Sequence, residues 1–249
     1  MKLILDFGNT FKKYALFEGK VLKELKIFEK DDYKKQMLFL SNNKNVKSII
    51  ISSVIDYPES LNNYLQENYY FIKLNSKTPV PVKNKYKTPN TLGKDRLAAV
   101  VGANVLFSEN NVLVIEAGTC ITYDFINSEA EYLGGSISPG LNMRYKSLNN
   151  FTDKLPLVTN RDFKCLTGQT TEESIISGIS NGIIAEVDGI IELYKKKYSS
   201  LKIVLGGGDM NFFVNKLKNS IFANPNIVLE GLNEILDFNE KRKINANSW

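Results

Sequence analysis

One pattern occurs twice in this chain and constrains its fold more than any other feature. An apolar strand, an acidic residue, an x-Gly turn, a threonine and a second strand follow one another in KLILDFGNTFKKYALF (residues 2–17). The same order returns in NVLVIEAGTCITYDFI (residues 111–126). A repeat of this kind indicates an internal duplication. The sequence therefore predicts two similar α/β domains, residues 1–110 and 111–249, with the boundary in a short polar stretch before the second copy.

The rest of the chain alternates apolar runs typical of strands with segments of helical spacing. The predicted strands cover residues 2–6, 13–18, 21–28, 46–54, 69–74, two segments within 111–126, 131–138 and 201–209. The predicted helices cover residues 30–45, 58–68, 93–107, a segment that opens at Pro139-Gly140, 172–198, 210–218 and 232–242. Residues 75–91, which contain three of the seven prolines, are predicted to form a loop.

Composition excludes several classes of protein. The chain of 249 residues has no histidine, which removes Ser-His-Asp hydrolases, Cys-His proteases and His-ligated zinc enzymes. Its two cysteines are too few for a disulfide framework. No apolar run is long enough for a secretory signal or a membrane span, so we expect a cytoplasmic protein without a membrane partner. The net charge of +5 comes mostly from scattered lysines without a nucleic-acid-binding signature, so we expect no nucleic-acid partner.

The first turn, Asp6-Phe7-Gly8-Asn9-Thr10, has the residues of a phosphate-binding loop. An acid at a strand end can hold a phosphate-bound Mg²⁺, directly or through water. Gly8 allows a close backbone approach, and the amides and hydroxyls of the turn can bond phosphate oxygens, with Lys13 as an additional charge. Asp-x-Gly is also common in ordinary hairpin turns, and taken alone the segment favours that interpretation.

The second turn, Glu116-Ala117-Gly118-Thr119, favours the phosphate-binding interpretation. Two such turns in matching places of two similar halves would face one another across a cleft and hold a triphosphate from both sides. The glycine run Gly206-Gly207-Gly208 ends a predicted strand, where it could pack under the adenine or the ribose. Glycine runs at strand ends are frequent, so this last feature is weak by itself.

A third motif, Gly93-Lys94-Asp95-Arg96, opens a predicted helix. Asp95 could take a proton from a substrate hydroxyl while Arg96 binds a substrate carboxylate. The same dipeptide is also common as an acidic residue in the first turn of a helix followed by a surface arginine. In isolation the second interpretation is favoured.

Taken together, these motifs resemble the type III pantothenate kinases of the actin-like, acetate-and-sugar-kinase superfamily. The resemblance runs almost from end to end of the chain. The matching segments are DFGNT with Lys13, GKDR at 93–96, EAGTCITYD at 116–124, GGSISPGL at 134–141, FTDKLP at 151–156, TTEESIISGI at 170–179 and LGGGD at 205–209.

The resemblance implies a role for each matching residue. Asp95 is then the general base for the pantothenate hydroxyl. The implied pantothenate pocket comprises Tyr86, Gly93, Lys94, Asp95, Arg96 and Thr171. The implied contacts to ATP are Asp6, Phe7, Gly8, Asn9, Thr10, Phe11, Lys12, Lys13 and Thr119. The implied metal-binding residues are Asp6 for Mg²⁺ and Glu116 for a monovalent cation, K⁺ or NH₄⁺.

Two positions depart from the family pattern. Glu116 stands where the family usually has aspartate at the cation-binding position, and Thr170 replaces a common asparagine. Thr171 resembles the family threonine that reaches into the pocket of a neighbouring subunit, which implies a homodimer.

The resemblance thus implies two actin-like, ribonuclease H-like domains with mixed sheets and an ATP cleft between them. The predicted activity is the ATP-dependent phosphorylation of pantothenate to 4′-phosphopantothenate, which opens coenzyme A biosynthesis. One alternative is a kinase for another small hydroxylated metabolite, although Tyr86 and Arg96 favour an acidic substrate. A second alternative is a non-catalytic, ligand-binding regulatory protein of the same fold, although intact Asp6, Asp95 and Thr119 favour catalysis.

Overall fold

The computed structural model of the chain describes residues 1–29, 33–159 and 165–246. The strands are β1 (Lys2–Phe7), β2 (Phe11–Glu18), β3 (Val21–Glu29), β4 (Ser48–Ser53), β5 (Tyr70–Lys73), β6 (Lys83–Asn84), β7 (Val112–Ala117), β8 (Cys120–Ile126), β9 (Glu131–Pro139), β10 (Lys202–Gly206) and β11 (Phe222–Ala223). The helices are α1 (Tyr33–Asn42), α2 (Glu59–Asn68), α3 (Lys94–Leu106), α4 (Leu141–Asn150), α5 (Thr171–Lys197), α6 (Met210–Phe213) and α7 (Ile227–Ala246).

The two sheets repeat one strand order. The first sheet has the order β3-β2-β1-β4-β5, and the second has the order β9-β8-β7-β10-β11, with β6 added beside β9. Strand β1 runs antiparallel to β2 and parallel to β4, and β7 likewise runs antiparallel to β8 and parallel to β10. The sequence prediction of two similar halves with mixed sheets is therefore confirmed.

The central strand β1 of the first sheet is buried on both faces, so apolar side chains cover both sides of the sheet at this point. Alternate residues of β1, Leu3, Leu5 and Phe7, join one core cluster, and the intervening Ile4 is also fully buried. This double burial explains why KLILDF is continuously apolar up to the acid instead of alternating with polar residues. The remaining buried members of that cluster are Tyr14, Leu16, Phe39, Leu40, Val46, Ile49, Ile51 and Leu65.

Helices α3 and α7 pack against one another at two glycines. A Cβ atom on Gly102 would lie 2.5 Å from the carbonyl oxygen of Ile227, and one on Gly231 would lie 1.8 Å from that of Ala98. The two backbones therefore approach more closely than side chains at those positions would permit. This contact fixes the position of α3, whose first turn carries Asp95.

The second core forms around α5. Its buried apolar residues recur at helical spacing, which aligns them on one stripe of the helix. They are Ile175, Ile176, Ile179, Ile183, Val187 and Ile191. Within the described ranges, α5 alone is long and apolar enough to cross a membrane, and burial of this stripe in the protein core accounts for its apolar composition.

The chain divides into two compact units. The first comprises residues 1–108, 130–133 and 226–249, and the second comprises residues 109–129 and 134–225. The predicted boundary after residue 110 assigns α7 and the start of β9 to the second domain. Both belong to the first unit, where α7 packs on α3 and donates a side-chain hydrogen bond from Asn233 to the carbonyl oxygen of Gly19 at 3.0 Å.

The observed elements differ from the predicted ones at four places. The predicted loop 75–91 contains the short strand β6, and the short strand β11 was not predicted. Helix α6 stops at Phe213 instead of reaching residue 218, and Asn215 then adopts a φ of 72°, which a helix cannot contain. Helix α7 begins five residues before the predicted start at residue 232. The first part of the predicted helix 30–45 lies outside the described residues.

Candidate active site

The first turn is a tight hairpin between β1 and β2. The amide of Gly8 donates a hydrogen bond to the carbonyl oxygen of Phe11 at 3.0 Å. A Cβ atom on Gly8 would lie 3.3 Å from that same oxygen, so a larger residue would crowd the turn. Asn9 and Thr10 are exposed at the tip, where their amides and side chains are accessible to a ligand.

Asp6 lies in the row of residues that crosses the first sheet just before this turn. Its neighbours in register are Lys13 on β2 and Ser52 on β4. Burial and the negative charge of Asp95 raise the pKa of Asp6 to about 6, against the opposing charge of Lys13. At neutral pH the carboxyl group is therefore ionised but less stabilised than an exposed aspartate.

The two lysines of β2 face opposite sides of the strand. Lys12 is buried, with its ammonium 4.9 Å from the centre of the Phe7 ring and 3.4 Å from Oε1 of Gln36. Lys13 is the lysine that acts on Asp6. The side chain of Lys12 thus belongs to the interior of the first unit, while that of Lys13 lies on the side of the acidic residue.

Asp95 lies in the first turn of α3. Its Oδ1 atom accepts a hydrogen bond from the amide of Arg96 at 2.9 Å. A Cβ atom on Gly93 would come within 2.6 Å of the same oxygen, so a side chain at residue 93 would make this carboxylate shift. The N-terminus of a helix also favours the negative charge.

Arg96 and Tyr86 form a stacked pair. The guanidinium carbon of Arg96 lies 5.7 Å from the centre of the Tyr86 ring, within the range of a cation–π interaction. Arg96 is only 6% exposed, and Tyr86 is half-buried. The structure thus brings together Tyr86, which lies in the proline-containing loop, and the motif at the start of α3.

In the second unit, the second turn is enclosed by glycines. The amide of Gly118 donates to the carbonyl oxygen of Cys120 at 2.9 Å, and the amide of Gly140 donates to that of Thr119 at 3.1 Å. A Cβ atom on Gly140 or on Gly207 would lie 2.0 Å or 2.2 Å, respectively, from a carbonyl oxygen of the turn. The glycine run after β10 is therefore needed for packing against this turn.

Glu116 lies in the row of the second sheet that matches the row of Asp6 in the first. Its neighbours in register are Thr122 on β8 and Gly206 on β10. A Cβ atom on Gly206 would lie 1.9 Å from the buried Oε1 atom of Glu116 and 2.9 Å from the carbonyl oxygen of Asn224. The missing side chain at Gly206 provides the space that the longer carboxylate occupies.

Thr171 is the first residue of α5, directly after a complete capping box. The hydroxyl of Thr170 accepts from the amide of Glu173 at 3.2 Å, and Oε2 of Glu173 accepts from the amide of Thr170 at 3.2 Å. Threonine thus performs the capping role for which asparagine is also suited. Thr171 itself is exposed.

Comparison with known proteins decides the family. A sequence model described as Type III pantothenate kinase matches residues 2–193. A type III pantothenate kinase of Christiangramia forsetii is 47% identical over 96% of this chain and 99% of its own length. The chain belongs to the type III pantothenate kinase family.

Solved structures agree on the fold. A Campylobacter jejuni protein described as a candidate Baf family transcriptional activator has a TM-score of 0.62 at 23% identity, covering 96% of this chain and 99% of that one. The activator of 2-hydroxyisocaproyl-CoA dehydratase from Clostridium difficile, solved with bound ADPNP, has a TM-score of 0.55 at 11% identity and covers 100% and 97%. These likenesses support the predicted actin-like fold of the pantothenate kinase.

The implied site residues divide between the two units. The first unit contains Asp6 to Lys13, Tyr86 and Gly93 to Arg96, and the second contains Glu116, Thr119 and Thr171. Within the described residues, no group of three or more Cys, Asp or Glu side chains could hold a metal ion. Any metal bound by Asp6 or Glu116 therefore needs other oxygen ligands as well.

Proposed function

We propose that Asp95 is the general base of this pantothenate kinase. The enzyme phosphorylates pantothenate to 4′-phosphopantothenate with ATP, the first step of coenzyme A biosynthesis. Asp95 takes the proton as the substrate's primary hydroxyl oxygen attacks the γ-phosphorus, and the bond from that phosphorus to the β-γ bridging oxygen breaks to release ADP. The observation that carries the assignment is the position of Asp95 in the first turn of α3, next to Arg96, whose guanidinium stacks on Tyr86. The charge of Asp95 also acts on Asp6 at the end of β1.

The substrate carboxylate is assigned to Arg96. A guanidinium binds a carboxylate through two parallel N–H groups, and its stacking on Tyr86 restricts its orientation. Gly93 and Lys94 complete the pocket next to Asp95. A base and an anion-binding group on adjacent residues suit pantothenate, which has both a hydroxyl to deprotonate and a carboxylate to hold.

The phosphates of ATP are assigned to the exposed tip of the first turn and to Thr119. Backbone amides and small hydroxyl groups can bond phosphate oxygens without adding bulk. In the first turn, the close packing of Gly8 on Phe11 keeps the tip compact. Lys13 supplies a positive charge beside Asp6, which the negatively charged phosphates require.

Mg²⁺ is assigned to Asp6. Mg²⁺ prefers carboxylate and water oxygens, and an ionised carboxylate surrounded by protein and facing a hydroxyl group fits that preference. When bound with ATP, the ion neutralises charge that develops on the phosphate oxygens. The role of Asp6 in this step is to position that charge at the end of β1.

A monovalent cation, K⁺ or NH₄⁺, is assigned to Glu116. The carboxylate of Glu116 occupies the space left by Gly206, and the carbonyl oxygen of Asn224 borders the same space. A large cation accepts such a set of oxygens. Thr122, directly across the sheet, contributes a buried hydroxyl oxygen with no hydrogen-bond partner among the described residues. The oxygen atoms of Glu116, Asn224 and Thr122 therefore fit a monovalent cation.

A cytoplasmic homodimer is the proposed assembly, with Thr171 completing the partner's pantothenate pocket. Large apolar side chains of the second unit are exposed, including Phe151 at 87%, Leu166 at 80% and Ile137 at 61%. Burial of such side chains against another protein surface would contribute favourably to assembly. A second copy of the chain would cover them in a symmetric, self-complementary contact.

The experiment that tests the proposed function is release of ADP in a coupled assay, with and without pantothenate. The account expects release that depends on pantothenate, and a phosphorylated product of matching amount. Release with another hydroxylated metabolite but not with pantothenate would indicate a different kinase. Binding of ATP without release in either condition would indicate a non-catalytic protein.

A further inference from the structure

The loop that carries Tyr86 is held in place by a segment distant in sequence. Strand β6 pairs in parallel with Glu131 and Tyr132 at the start of β9. The amide of Lys83 donates to the carbonyl oxygen of Ala130 at 2.8 Å, and the amide of Lys85 donates to that of Tyr132 at 3.0 Å. Residues 130–133 belong to the same compact unit as the loop. The backbone on the N-terminal side of Tyr86 is therefore fixed by this short ladder.

Side chains reinforce the same attachment. The ammonium of Lys85 lies 3.4 Å from Oε1 of Glu131, and that of Lys83 lies 4.0 Å from it. Both lysines are more than half exposed, so these ion pairs contribute little by themselves. The side-chain oxygen of Asn84 accepts from the amide of Tyr86 at 2.9 Å, which fixes the peptide that carries the ring.

The ring of Tyr86 rests on a second tyrosine. Tyr132 is fully buried, and the two rings are nearly parallel, with an interplanar angle of 8° and centres 6.1 Å apart. The guanidinium of Arg96 lies 5.7 Å from the centre of the Tyr86 ring. Tyr86 is thus paired with both the guanidinium of Arg96 and the buried ring of Tyr132.

We propose that Tyr132 is a positioning residue for the pantothenate pocket. It acts through Tyr86 by fixing the plane of that ring, which in turn restricts the guanidinium of Arg96. The inference rests on the proposed function, because Arg96 matters here as the group that binds the substrate carboxylate. Without Tyr132 the Tyr86 ring can tilt. The N–H groups of the Arg96 guanidinium then lose part of their alignment with the pantothenate carboxylate.

The first test compares Tyr132→Leu with Tyr132→Phe in steady-state kinetics. The leucine variant removes the parallel ring, and we expect KM for pantothenate to rise about two- to tenfold, the value of one aromatic pair, with KM for ATP unchanged. The phenylalanine variant keeps the ring and should restore the wild-type KM. Tyr69→Leu is the matched control, since it removes the aromatic partner of Tyr64 elsewhere in the same unit and should leave KM unchanged.

A double-mutant comparison separates this inference from the proposed pocket. If Tyr132 acts through Tyr86, the double variant Tyr86→Leu/Tyr132→Leu should have the same KM for pantothenate as Tyr86→Leu alone. A raised KM for Tyr86→Leu with a wild-type KM for Tyr132→Leu would overturn the positioning role and leave the pocket standing. Wild-type values for both single variants would overturn the pocket itself.

A second variant keeps the proposal testable if Tyr132→Leu does not fold. Asn84→Ala removes the acceptor for the Tyr86 amide at a position that is not in the core. It should raise KM for pantothenate about twofold without changing KM for ATP or the urea midpoint, since one hydrogen bond of this type contributes modestly. A rise in both KM values, or in neither, would show that the orientation of Tyr86 does not set the affinity for pantothenate, and would overturn the proposal because Tyr132 acts through that ring.

Discussion

Asp6 and Asp95 lie close enough for the charge of one to change the acidity of the other. Burial and the negative charge on Asp95 together raise the pKa of Asp6 to about 6, against the opposing charge of Lys13. Two carboxylates held in this way repel each other, which makes ionisation of Asp6 less favourable in the folded protein than in the unfolded chain.

The first prediction concerns the stability of Asp6→Asn. Between the unperturbed pKa of 3.8 and the folded value of about 6, the folded protein binds a proton that the unfolded chain has released. The contribution of Asp6 to stability therefore falls as pH rises through that window and remains unfavourable above it. We expect Asp6→Asn to be more stable than the wild type near about pH 8 by about 1–3 kcal/mol, allowing for partial exposure, and to lose this advantage near about pH 4.

Urea unfolding at the two pH values measures this difference, with Asp56→Asn as the control. Asp56 is an exposed acid of the same unit with no role in the proposed site. Its replacement should leave stability nearly unchanged at both pH values. Equal or lower stability of Asp6→Asn at alkaline pH would contradict the assigned environment of Asp6. Whatever its stability, the Asp6→Asn variant should lose phosphoryl transfer.

The second prediction concerns Glu116 and the space beside Gly206. Because the longer carboxylate is accommodated where residue 206 has no side chain, we expect K⁺ or NH₄⁺ to activate the enzyme with altered affinity. Turnover in potassium, ammonium, sodium and Tris buffers at constant ionic strength measures the effect. Glu116→Asp should change the cation concentration needed for half activation, and Gly206→Ala should reduce activation by displacing the carboxylate. Equal wild-type rates in all four buffers would contradict the assignment.

The third prediction concerns the helix contact that fixes α3. Gly231→Ala places a Cβ atom 1.8 Å from the carbonyl oxygen of Ala98, so the helices must separate. We expect a loss of about 1–3 kcal/mol in the free energy of unfolding, the usual cost of overpacking. Gly189→Ala on α5 is the matched control, because its new methyl group meets open space and alanine favours a helix. A Gly231→Ala protein as stable as the wild type would contradict the close contact.

The fourth prediction concerns the cap that precedes Thr171. Thr170→Ala removes the hydroxyl that accepts from the Glu173 amide, and it should lower the free energy of unfolding by about 1 kcal/mol. Thr170→Asn should retain the cap and the wild-type stability. Chemical denaturation of both variants measures this. Equal stability of the alanine variant and the wild type would show that the cap contributes nothing.

Much of the fold could be predicted because its causes are local in sequence. The buried strands end in an acid and a glycine turn in both halves, and this pattern alone indicated the repeated sheet. Strand β6 could not be predicted, since its two residues are held by partners near residue 131 and not by any pattern of their own. The assignment of α7 to the first unit likewise depends on the close packing of α3 and α7 at Gly102 and Gly231. That contact joins residues far apart in sequence, so no local pattern predicts it.

The candidate site was predictable in its motifs but not in its supporting residues. Asp6, Asp95 and Arg96 each stand at a recognisable place, a strand end or the first turn of a helix. Ser52 and Tyr132 carried no signal beyond membership of a strand, because their effects arise from register with a neighbouring strand or from ring stacking. The role of Gly206 in leaving space for the Glu116 side chain was also not predictable, because only the sheet register brings the two residues together.

The assignment of Asp95 as the base is tested most directly by turnover of Asp95→Asn. Asparagine keeps an oxygen that can accept from the Arg96 amide, so the folded variant should bind ATP and pantothenate much as the wild type does. Loss of the base should lower kcat by about 10²–10⁴-fold, as measured by ADP release at saturating substrates. Wild-type kcat in a folded Asp95→Asn protein would contradict the account.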